Sequence, residues 1–110
     1  MNKLVKCSVC GYVHEGDAPD HCPKCQAPKE KFVELTEEEA GKVYRSDKTN
    51  DLQMKLITLC MKLDQLADLG IEDNLDPTCV KIFEKAKKYS WELKQSAKAE
   101  IASHISKGKW

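Results

Sequence analysis

Long apolar runs are absent from this chain. No segment approaches the roughly eighteen uninterrupted apolar residues that a membrane-crossing helix requires, and the opening residues, MNKLVKC, lack the apolar stretch of a secretion signal. The sequence therefore predicts a cytoplasmic protein with no membrane partner. Net charge is absent too, with 18 Lys and Arg against 18 Asp and Glu. Residues 1–35 are neutral by themselves, five Lys against five Asp and Glu. A nucleic-acid-binding module would need a basic face there to neutralise phosphates, so no nucleic-acid partner is expected. Proline and glycine are scarce, and three of the four prolines and two of the five glycines fall within the first 35 residues. Beyond that point little interrupts a helix.

What the first third does hold is cysteine. KCSVCGYVHEGDAPDHCPKCQAPKEKF sets Cys7 and Cys10, then Cys22 and Cys25, as two Cys-x-x-Cys pairs separated by eleven residues. Two such pairs can fold back until four thiolates converge on one metal ion in a tetrahedral site. In a reducing compartment that use outweighs structural disulfides. A thioredoxin-type dithiol is not indicated, because no strand–helix–strand pattern surrounds either pair.

The runs LVKC, YVHEG and KFVEL flank the pairs and predict a small three-stranded sheet with the cysteines at its turns. Gly11 follows Cys10 and can take the positive φ that a tight turn needs. Tyr12 and Phe32 are the aromatics available to cover the site. His14 and His21 lie between the pairs and read as solvated loop residues rather than ligands. Cys60 and Cys79 lack a partner at ligand spacing and read as buried thiols.

Thr36 followed by Glu39 is a capping-box pattern that opens a short helix over about 36–45, after which SDKTN reads as a break. A long helix then spans about 48–69, with Leu52, Leu56, Leu59, Leu63 and Leu66 at alternating spacings of four and three and a second row of Met54, Ile57 and Met61. Gly70 is placed to end it. Asp76 as N-cap with Pro77 behind it starts another helix over about 77–106, with apolar or small residues at Cys79, Phe83, Ala86, Ser90, Leu93, Ala97 and Ile101. Residues 36–79 carry ten acidic groups against five basic, and residues 80–110 eight basic against three acidic, so the arms complement one another across an antiparallel hairpin. Two helices cannot enclose apolar faces on both sides. The expected remedy is a homodimer, held by residues 48–106, that completes a four-helix bundle; packing on the metal module of the same chain, or docking of a redox partner, is the competing one.

The fold class is thus α+β: a metal module over 1–35 and a helical part over 36–110. Cys7-x-x-Cys10-Gly11-Tyr12, Gly16, Pro19, Cys22-Pro23-x-Cys25, Pro28 and Phe32 together resemble the rubredoxin-like domain of rubrerythrins, over about residues 3–35. The resemblance implies Cys7, Cys10, Cys22 and Cys25 as ligands of one mononuclear iron that shuttles single electrons, with Cys10 and Cys25 the more exposed pair. It implies redox partner proteins and no bond chemistry. Many knuckles of that family place Gly directly after the last ligand, and Gln26, which follows Cys25 here, would carry a modest strain. Zinc suits the same ligands, and the alternative is a structural zinc-ribbon adaptor between proteins. The oxidase side of rubrerythrins is not implied, because a di-iron bundle needs Glu-x-x-His on two helices. This chain has none; Glu100 and His104 are spaced by four and read as a solvated pair on a helix face.

Overall fold

A computed structural model describes all residues, Met1–Trp110. The chain divides into two compact units, Met1–Arg45 and Ser46–Trp110.

The first unit holds three short strands, β1 (Leu4–Cys7), β2 (Val13–Glu15) and β3 (Phe32–Glu34). They form one antiparallel sheet with β1 in the centre, Val5 standing opposite His14 on one side and Glu34 on the other. All three lie where the β-branched and aromatic runs place them. The buried side chains of this unit are Leu4, Val5, Cys7 and Cys22, so half of its small core is thiol. Thr36 Oγ1 accepts from the Glu39 amide at 3.1 Å, the expected cap of α1 (Glu37–Asp73). Tyr44, two turns into that helix, places its hydroxyl 2.6 Å from the Glu15 carboxylate and 2.9 Å from the Asn2 carbonyl. Those bonds explain why the unit extends through the first turns of α1.

The second unit is an antiparallel pair, the rest of α1 and α2 (Pro77–Ser106). Asp76 caps α2 by accepting from the Cys79 amide at 2.8 Å, with Pro77 in the first turn, as the sequence predicts. Lys87 bridges Asp64 at 2.9 Å and Asp68 at 2.8 Å, an instance of the acidic arm meeting the basic one.

Three expectations for this region are corrected. SDKTN does not break the helix; α1 runs without interruption from Glu37 to Asp73. Its polar residues are accommodated because Ser46 Oγ and Asn50 Nδ2 both donate to the Lys109 carbonyl at 2.7 Å, and Asn50 Oδ1 accepts from His104 Nδ1 at 2.6 Å. His104, which also contacts Glu100 at 3.0 Å, is therefore tied into the hairpin rather than solvated. Nor does Gly70 end α1. The helix continues to Asp73 and stops at Asn74, whose φ of 49° is the left-handed turn that closes it.

The faces that meet are lined by small residues rather than by the leucine row. The buried residues of α1 are Ser46, Asn50, Cys60 and Ala67, and those of α2 are Ser90 and Ala97. They belong to a row at spacings of four and three that lies one residue on from the leucine row. Small side chains let the two backbones approach closely, and no buried side-chain nitrogen or oxygen is left without a partner. Of the leucine row, Leu52, Leu59, Leu63 and Leu66 stay exposed.

Candidate metal centre

Each Cys-x-x-Cys pair sits on a turn of the same design. The Cys7 amide donates to Tyr12 O at 2.8 Å and the Gly11 amide to Cys7 O at 2.9 Å; the Cys22 amide donates to Ala27 O at 2.9 Å and the Gln26 amide to Cys22 O at 2.9 Å. The first cysteine of each pair is buried and the second half-exposed, Cys7 and Cys22 within, Cys10 and Cys25 toward the surface. The same position of each turn takes positive φ, 84° at Gly11 and 66° at Gln26. Only glycine does so without strain. Gln26→Gly is therefore expected to stabilise the first unit by about 0.5–1 kcal/mol, the relief of the left-handed strain partly offset by the greater freedom of glycine in the unfolded chain. Thermal unfolding of the metal-loaded protein checks it.

The two turns bring four sulfurs together. Cys7 Sγ lies 3.7 Å from Cys25 Sγ, Cys10 Sγ lies 3.6 Å from Cys22 Sγ, and all four fall within 4.8 Å of one another. A tetrahedral ion with metal–sulfur bonds of ~2.3 Å requires sulfur–sulfur edges of ~3.8 Å. The donor set fits such an ion in kind, number and spacing. None of the six cysteines forms a disulfide.

The electrostatics of the cluster point the same way. Amides of Cys10 and Val9 aimed at Cys7 hold its thiol below the ordinary range against the effect of burial. Burial acts to raise Cys22, but the amides of Cys25 and Lys24 outweigh it and hold that thiol near about 7. Cys25 receives the Ala27 amide, which favours its thiolate, yet burial and the sulfurs of Cys10, Cys22 and Cys7 push it up to about 12. The backbone thus favours the thiolate at Cys7 and Cys22, while burial and the neighbouring sulfurs disfavour it at Cys25.

Tyr12 and Phe32, the aromatics that the sequence offers as a cover, meet edge to face at 6.4 Å. His14 stands on β2, its Nδ1 2.9 Å from the Tyr12 hydroxyl, and His21 is exposed in a bridge to Pro28; neither joins the sulfur cluster. Cys60 is buried in the helical unit, and Cys79, half-exposed, lies at the N-terminus of α2. The contact of Tyr12 with His14 is a feature that sequence reasoning missed, although the i, i+2 spacing on one face of a strand carries the signal.

A three-stranded sheet with two cysteine turns presenting four sulfurs to one point defines a metal-binding module of the rubredoxin-like class. Residues 6–33 match the family described as "Rubrerythrin, rubredoxin-like domain". The chain is also similar to "Reverse rubrerythrin-1" of Clostridium acetobutylicum, with 55% identity over 40 residues. That match covers 36% of this chain and 22% of the relative's length. No solved structure matches the chain. The first third is thus a rubredoxin-like domain of the rubrerythrin type, and a helical hairpin without Glu-x-x-His follows it. No helix is long and apolar enough to cross a membrane.

Proposed function

We propose that the protein is a cytoplasmic one-electron carrier in which Cys7, Cys10, Cys22 and Cys25 hold one mononuclear iron. Iron in four thiolates supplies a ferric/ferrous couple. The observation that carries the proposal is the sulfur cluster itself, fixed by paired backbone turns, two of its members buried and two reaching the surface. Sulfurs fixed in this way need little rearrangement between oxidation states, which keeps the barrier to electron exchange low. Cys10 and Cys25 form the edge at which a redox partner protein would approach, while Tyr12 and Phe32 restrict water on another side. The rubredoxin-like match favours iron over the zinc that the same ligands would accept.

No bond is made or broken in this reading, and the protein is not an enzyme by itself. A redox titration of the iron-reconstituted protein, followed in visible light, tests it. The proposal expects one reversible one-electron step. Irreversible loss of colour with release of iron on reduction would instead favour a structural zinc-binding adaptor.

A further inference from the structure

The helical hairpin carries an apolar face that its own two helices leave exposed. On α1 the leucine row precedes each position of the buried row by one residue, with Leu59 60% and Leu63 38% exposed. On α2 the residues one before its own buried row are apolar at Ile82, Tyr89 and Leu93, with Ile82 61% exposed. Two right-handed helices running antiparallel turn these preceding rows to the same side of the hairpin. The result is one shared apolar face from the level of Ile82 to that of Leu93, beyond which α2 turns Ser96 and Glu100 to the same side. Its exposed side chains present on the order of 700 Å² per chain, above the roughly 300–600 Å² of the largest patch on a typical monomer.

We propose that this face is covered by a second copy of the chain, giving an all-antiparallel four-helix bundle in which α1 of each copy packs on α2 of the other. Area and charge both select this occupant. Burying the face on both copies removes roughly 1,400 Å², within the ~1,200–2,000 Å² of specific, stable interfaces. Within the hairpin, Gly70 lies level with Phe83, Asp64 with Lys87 and Asn50 with His104, which sets Lys62 level with Glu92. Both flank the apolar face on its outer edge, and neither makes an ion pair within its own chain. A two-fold axis running along the hairpin keeps these levels and sets Lys62 of one copy beside Glu92 of the other, twice per dimer. A two-fold axis across the helices would bring the two Lys62 side chains together instead. Opposite charges at matching heights favour the first arrangement.

The inference is independent of which metal the first unit holds. Sedimentation of the full metal-loaded chain at tens of micromolar tests it, with helix content followed by circular dichroism. The expected result is a dimer that Leu59→Lys turns into a monomer without loss of helix, because Leu59 is exposed within the single chain. Lys62→Glu should weaken the dimer by about tenfold, each copy exchanging an attraction for a repulsion, and adding Glu92→Lys should restore it to within about threefold. A monomeric full chain, whether its face is left bare or covered by a foreign protein, would overturn the proposal. So would a dimer indifferent to Leu59→Lys. A dimer that the charge exchange fails to restore would overturn the all-antiparallel arrangement.

Discussion

Replacing any one of Cys7, Cys10, Cys22 or Cys25 by Ala is expected to abolish tetrahedral metal binding and to unfold the sheet module while leaving the hairpin helical. The core of the first unit explains the size of the effect. Of its four buried side chains, two are ligand sulfurs and only Leu4 and Val5 are hydrocarbon. Without a cation the module has almost no apolar interior, and no metal bonds tie its remaining thiols together. Small four-thiolate modules draw on the order of 10 kcal/mol of folding free energy from the metal, so loss of one ligand exceeds what three short strands can supply. The helical unit has its own seam and capping bonds, and should keep its circular dichroism signal. Cys60→Ala and Cys79→Ala are the controls: both lie outside the sulfur cluster, and both variants should retain a full equivalent of metal. Metal analysis, together with amide exchange over residues 4–34, reads all of these outcomes. A full equivalent in a cluster variant, with the strand amides still protected, would show the ligand set to be wrong.

Gly70→Ala is expected to destabilise the hairpin by about 1–2 kcal/mol, the opposite of what helix propensity alone gives. Gly70 lies inside α1, where alanine would ordinarily stabilise by about 1 kcal/mol. A Cβ at that position would, however, meet the Phe83 ring 2.3 Å away at its nearest carbons. An aromatic ring cannot yield at one edge as a flexible chain end can, so Phe83 must move as a whole or the helices must separate. Overpacking of this kind costs about 1–3 kcal/mol, and the upper part of that range, less the propensity gain, leaves the net loss. The double variant Gly70→Ala, Phe83→Ala isolates the contact. Once the ring is gone, the added methyl should become neutral or stabilising, a coupling that chemical denaturation of the four proteins measures. Stabilisation by Gly70→Ala with Phe83 in place would mean that the close approach is not maintained in solution.

These two sites mark how far the sequence could be read. The cysteine pairs, the three strands, the Thr36 and Asp76 caps and the start of α2 are set by residues within a few positions of one another, and local chemistry suffices to place them. The strain at Gln26 was legible through the family resemblance, whose turns place glycine there, and its φ of 66° agrees. The role of Gly70 was not legible, because its requirement comes from Phe83 across the hairpin. The continuity of α1 through SDKTN depends on the Lys109 carbonyl and on His104, more than fifty positions away, which satisfy Ser46 and Asn50. The leucine spacing correctly marked an apolar stripe on α1, but periodicity does not say which row faces which partner. Within the chain the helices meet through Ala67, Ala97, Cys60 and Ser90, residues too small to announce a core by hydrophobicity.

The central claim is that four sulfurs on two matched turns hold a redox-active iron, and its most direct test is the metal content and visible spectrum of protein isolated from its native source without air. The account predicts about one iron per chain. Oxidation should give a coloured species through sulfur-to-iron charge transfer, and reduction should bleach it reversibly. Zinc, with its filled d shell, gives neither band nor bleaching. One zinc per chain in a protein that stays colourless through oxidation and reduction would contradict the account.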